Sequence, residues 1–96
     1  MIDCAEVHFS GHALRRMFER ALGRVAILEV IHQGEVIAEY PDDRPYPSWL
    51  VPGFSAGQPV HLVPARDPST RHCYLVTAYR PEPATWSDDF KTRRDT

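Results

Sequence analysis

Ser10-Gly11-His12-Ala13-Leu14-Arg15-Arg16-Met17-Phe18-Glu19-Arg20-Ala21-Leu22-Gly23 is the stretch whose reading decides the fold. Turned at about 100° per residue, Ala13, Leu14, Met17, Phe18, Ala21 and Leu22 fall on one half of a helical wheel. His12, Arg15, Arg16, Glu19 and Arg20 fall on the other half. One apolar half and one ionic half at this period describe a helix lying on a core. Ser10 is a natural N-cap, because its hydroxyl can accept a bond from a free first-turn N–H. Gly23 is the expected C-terminal stop, because it takes positive φ without a Cβ clash. The expected helix therefore runs over 11–22.

Outward from this helix, residues 4–9 alternate weakly and read as a short first strand. After Gly23, the apolar positions Val25, Ile27, Leu28, Val30 and Ile31 form a broader stripe, predicting a more deeply buried helix over 24–33. Gly34 closes it, and His32 in its last turn suits the helix dipole. Strand patterns follow at 35–40, 49–54, 60–65 and 72–79, separated by Pro-, Asp- and Gly-rich turns. Pro52 and Pro64 cannot donate to a ladder, which predicts an edge or a bulge at those positions. His72–Tyr79 is uninterrupted, β-branched and aromatic, and reads as an interior strand. Short connections predict antiparallel pairing. The expected fold is α+β: two N-terminal helices on one face of an antiparallel sheet of four to five strands, in the order strand-helix-helix-strand-strand-strand-strand. A single domain is expected over residues 1–90, with Trp86 packing back on it and a flexible tail at 91–96.

The chain has 96 residues, enough for one domain but not two. Net charge is −2, so no global field attracts nucleic acid. The distribution is uneven. Arg15, Arg16, Arg20 and Arg24 against Glu19 give a local +3 over residues 10–24, while Glu29, Glu35, Glu39, Asp42 and Asp43 against Arg44 give −4 over 25–48. A phosphate ligand would have to use the first patch. Cys4 and Cys73 lie in apolar strand-like runs, where free Cys acts as a small buried hydrophobe. With no CxxC and no zinc-ligand spacing, they suggest a reduced, cytoplasmic protein. The start lacks the basic and apolar regions of a signal peptide, and no stretch approaches membrane-spanning length, so no membrane partner is expected.

Metal-free RNA cleavage needs a base for the 2′-hydroxyl, an acid for the leaving oxygen and cations for the developing phosphorane charge. The helix offers His12 and Glu19 for proton transfer, and Arg15, Arg16 and Arg20 as phosphate-binding forks. The strands offer His61, Tyr79 and Arg80. Alternation puts His61 on one face with Val63 and Ala65. If its strand pairs with the one ending at Tyr79, the three could line one face or rim. A bland account stands beside this one: Arg15–Glu19 and His12–Arg16 are ordinary i,i+4 pairs on a solvated face, and His61 is a core histidine. The scattered carboxylates show no ligand spacing, so no metal or other cofactor is expected.

The segments Phe9-Ser10-Gly11-His12-Ala13-Leu14-Arg15-Arg16-Met17-Phe18-Glu19-Arg20, Gly34 to Tyr40, Pro45-Tyr46-Pro47-Ser48, Gly57 to Val63 and Val76 to Pro83 with Trp86 resemble DUF4258, a bacterial domain family of unknown function. The resemblance spans about residues 9–86. That family is similar to RelE- and BrnT-type toxins of toxin–antitoxin pairs, which implies helices packed on an antiparallel sheet and metal-independent ribonuclease activity. It implies an RNA substrate and a small antitoxin-like partner, and it points to His12, Arg16, Glu19, Arg20, His61 and Tyr79. The expected function is a metal-independent endoribonuclease toxin. The alternative is a non-catalytic module that docks a small partner protein through the same charged face.

Overall fold

A computed structural model describes residues 2–94 of the chain. The elements are β1 (Glu6–Phe9), α1 (Gly11–Glu19), α2 (Arg24–Gln33), β2 (Ala38–Tyr40), β3 (Ser48–Ser55), β4 (Gln58–Arg66) and β5 (His72–Tyr79). They form an α+β fold with a five-stranded sheet in the order β1-β5-β4-β3-β2. The order of helices and strands follows the sequence reading. One pairing does not: β1 joins β5 in parallel, so the sheet is mixed. The chain path supplies the reason. The two helices carry it across one face to the far edge, where β2 begins antiparallel to β1. Three antiparallel reversals then bring the fourth strand, β5, back beside β1 in the same direction.

α1 ends earlier than its periodicity suggests. The Ser10 hydroxyl accepts from the Ala13 N–H at 3.0 Å and donates to the Leu75 carbonyl at 3.2 Å, which fixes the helix start to β5. At the other end Ala21, not Gly23, takes the left-handed position, with φ 53°. The Leu22 N–H donates to the Met17 carbonyl and the Ala21 N–H to the Phe18 carbonyl, the paired bonds of a Schellman stop. Gly23 instead precedes α2 as its N-cap and contributes no side-chain bond. The apolar half of the wheel divides, because the flank carrying Ala13 and Met17 is the one turned to the core. Ala13, Met17 and Leu22 are buried, whereas Leu14 and Phe18 face solvent.

Ile27 and Ile31 of α2 enter the core with Val51, Val60, Leu62, Leu75 and Ala78 from the sheet. Each such buried Ile side chain is worth about 1.5–3 kcal/mol of transfer free energy. Close approach is possible because β3 carries a glycine under α2: a Cβ at Gly53 would lie 2.6 Å from Val30 Cγ1. The Ala56 and Gly57 pair, both at positive φ, makes the two-residue hairpin between β3 and β4. Pro52 lies beyond the three-residue contact with β2, where no ladder partner needs its missing N–H. Pro64 coincides with a register shift between Val63 and Pro64.

The cysteines are not free. Cys4 and Cys73 form a disulfide, with Cα atoms 5.6 Å apart and a sequence separation of 69 residues. The sequence reading treated them as separate buried thiols because the parallel β1–β5 pairing that juxtaposes them was not legible. Val7 is the register partner of Cys73, and the Ala5 N–H donates to the Arg71 carbonyl at 2.8 Å. Residues 91–94 fold back: Trp86 bridges Arg93, and the Arg94 N–H donates to the Thr85 carbonyl. Residues 95 and 96 of the expected tail lie outside the described residues. Among the described residues, no helix is long and apolar enough to cross a membrane.

Candidate functional site

β4 alternation divides the sheet. Val60 and Leu62 point into the helix-covered core, so His61 points to the opposite face. There it pairs directly with Tyr79 across the β4–β5 ladder. The C-terminal segment covers it: the Trp86 ring stands edge-on at 4.5 Å between centroids, and His61 is fully buried. Its Nε2 lies 2.8 Å from the Phe90 carbonyl, which can only accept, so Nε2 carries the hydrogen. Nδ1 is then an acceptor, and the Tyr79 hydroxyl at 3.2 Å donates to it. Burial pushes the His61 pKa down, opposed by the Phe90 carbonyl bond. Burial also raises the Tyr79 pKa, assisted by neighbouring Tyr40 and opposed by the Arg93 charge. Near neutral pH this is a neutral imidazole holding a protonated phenol.

Tyr79 is the member of the pair that reaches solvent. It lines a cleft of about 370 Å³ together with Ile37, Ala38, Leu50 and Tyr40 on the sheet side, and Trp86, Lys91, Thr92 and Arg93 on the other. The Arg93 guanidinium lies 5.6 Å from the Trp86 ring centroid. Lys91 Nζ lies 3.6 Å from Glu35 Oε2 on an exposed rim. The cleft therefore combines two phenols with two cations over an apolar floor. Tyr40, Lys91 and Arg93 were missed by the sequence reading. The fold-back of 91–94 that brings both cations to the end of β5 carries no periodic signal.

The helix-face candidates form a second group. His12 is exposed, with Nε2 3.3 Å from the Thr77 hydroxyl of β5. Arg16 bonds Glu19 at 2.7 Å, and Arg20 lies 3.6 Å from the same carboxylate. Arg15 is exposed on the same helix. Arg80 points at backbone: its NH1 lies 3.0 Å from the Pro59 carbonyl and 3.5 Å from that of Gln58, and its NH2 lies 3.3 Å from that of Arg20. It ties the end of β5 to the start of β4 and the end of α1. The structure thus brings His61 and Tyr79 together, and keeps His12, Arg15, Arg16, Glu19 and Arg20 together on α1. The sheet separates His61 from the helix layer. One further cluster has metal-ligand character: Glu6, His8 and His72, at the opposite end of β5 from Tyr79.

A small α+β domain with helices on one sheet face and a phenol–cation cleft on the other is the class that these features define. The family model described as "Domain of unknown function (DUF4258)" matches residues 9–80, and the chain belongs to that family. No curated protein and no solved structure matches the chain.

Proposed function

We propose that the chain is a small endoribonuclease of the toxin type that cleaves RNA without a metal ion at the Tyr79 cleft. The observation carrying this reading is the hydrogen-bonded order Tyr79 hydroxyl to His61 Nδ1, with Nε2–H on the Phe90 carbonyl. That order sets a direction for proton flow. As a ribose 2′-hydroxyl attacks its own 3′-phosphorus, its proton passes to the Tyr79 oxygen while the Tyr79 proton passes to His61 Nδ1. The leaving 5′-oxygen takes a proton from Lys91 or from water, and a 2′,3′-cyclic phosphate remains. Arg93 and Lys91 offset the charge growing on the phosphorane. Tyr40 offers an aromatic face on which an unpaired base can stack. Arg15, Arg16 and Arg20 on the far layer would hold more distant phosphates. In this reading the chain acts in the cytoplasm, where the Cys4–Cys73 bridge would be open to reduction.

The test is incubation of the partner-free chain with labelled RNA in excess EDTA, beside Tyr79→Phe and Arg93→Ala. Cleavage leaving cyclic phosphate ends, and reduced about 100-fold or more by Tyr79→Phe, is expected. Intact RNA with wild type, or unchanged cleavage by Tyr79→Phe, would refute it.

One observation favours the alternative of a protein-docking module. Phe18 is 89% exposed on α1, one turn from Leu14 at 47%, an apolar pair left open on the outer helix surface. In that reading a small antitoxin-like protein covers them. Loss of partner capture in Phe18→Ser with no RNA cleavage by wild type would select it.

A further inference from the structure

We propose that Glu6, His8 and His72 form a mononuclear site for a divalent transition metal of the zinc class, with an open fourth position. The site depends on neither reading above. Its origin is the strand geometry. Glu6 and His8 are two apart on β1 and therefore share a face. The parallel register pairs Glu6 with His72 and His8 with Tyr74, which brings a third ligand to the same face from β5. Neither strand alone holds more than two of the ligands.

The three donor atoms form a compact triangle. His8 Nε2 lies 3.1 Å from His72 Nδ1. Glu6 Oε2 lies 3.4 Å from His8 Nε2 and 3.7 Å from His72 Nδ1. A tetrahedral zinc ion with bonds of about 2.05 Å needs donor atoms about 3.3 Å apart. The observed triangle is close to the face of such a tetrahedron, able to take an ion with small shifts of two exposed side chains, Glu6 and His8, and the half-buried His72. The donor set of two imidazoles and one carboxylate also selects the ion. Mg²⁺ and Ca²⁺ prefer all-oxygen shells, whereas imidazole suits Zn²⁺ and its neighbours in the first transition row. Three protein ligands leave one position for water or an anion.

Two features hold the ligands in place. The His8 ring stacks on Tyr74 at 5.0 Å between centroids, and Tyr74 stacks on Tyr46 at 5.5 Å. The disulfide joins Cys4, two residues before Glu6, to Cys73, the neighbour of His72, so a covalent bond spans the two ligand strands. Without a metal, the two imidazole nitrogens face each other at 3.1 Å, one ring N–H donating to the other ring. The metal replaces that proton and places a double charge against Glu6.

The test uses the full chain, oxidised and free of any affinity tag, titrated with Zn²⁺ by calorimetry and with Co²⁺ by visible absorption. Binding of one equivalent at micromolar affinity or tighter is expected, with the intense visible band of four-coordinate Co²⁺. His8→Ala and His72→Ala, both at accessible positions, are each expected to weaken binding by at least the about 10–100-fold typical of disturbing a metal's supporting shell. Glu6→Gln is expected to weaken it less and to shift the Co²⁺ band. Absence of one-to-one binding by wild type would overturn the proposal, as would equal binding by the His8→Ala/His72→Ala double variant.

Discussion

Reducing the Cys4–Cys73 bridge offers a direct measure of what it contributes. The two cysteines are 69 residues apart, so the bridge closes most of the chain into one loop. Releasing a loop of that length restores conformational entropy to the unfolded state equivalent to about 4 kcal/mol at 25 °C. A domain of this size has a total stability of about 5–15 kcal/mol, so the loss is a large fraction of the whole. Reduction is a better perturbation than substitution, because Cys73 is fully buried and a serine there would bury a hydroxyl. The assay is urea denaturation at fixed pH with and without a phosphine reductant, followed by tryptophan fluorescence. The transition midpoint should fall by the equivalent of about 3–5 kcal/mol while the reduced chain still unfolds cooperatively. A change below about 1 kcal/mol would refute the loop-entropy argument for this bridge.

Two other predictions concern single residues. Burial holds the His61 pKa below its ordinary value, so on acidification the unfolded chain takes up a proton that the folded chain resists. The resulting stability is complete above the unfolded value of about 6.5 and is lost as pH falls below it. Denaturation between about pH 7.5 and 5.5 should show a shallower stability slope in His61→Asn than in wild type, and equal slopes would count against a buried neutral imidazole. Ala21 adopts φ 53° at the end of α1, where a side chain is disfavoured. Ala21→Gly should stabilise the domain by about 0.5–1 kcal/mol in the same denaturation assay, and destabilisation would contradict the Schellman stop.

The sequence carried the elements well because their signals are local. The Ser10 cap, the broad apolar stripe of α2, the Ala56-Gly57 hairpin and the aromatic run of β5 each lie within a few residues. Pairing between distant segments carries no such signal. The parallel β1–β5 ladder decides the sheet's type, the disulfide and the Glu6–His8–His72 cluster together, and nothing near residue 6 points to residue 72. The same division runs through the candidate cleft. His61 and Tyr79 were legible only as residues of two strands that could pair; the register that sets them opposite each other came from the structure. Lys91 and Arg93 were not legible, because an irregular fold-back brings them there. The exposure of Leu14 and Phe18 also escaped the wheel, since periodicity marks an apolar face but not which flank of it the core covers.

The placement of β1 beside the last strand also orders events during synthesis. β1 emerges from the ribosome well before its partner β5, so it waits unpaired until residues 72–79 have emerged. Until then the Ser10 hydroxyl has no Leu75 carbonyl, His12 has no Thr77, and Cys4 has no Cys73. Tyr79 and its acceptor His61 likewise meet only when the sheet is complete. A nascent chain halted before β5 therefore has helices without a docked start and a cleft without Tyr79. Any activity of this domain begins only after nearly all of it has been translated.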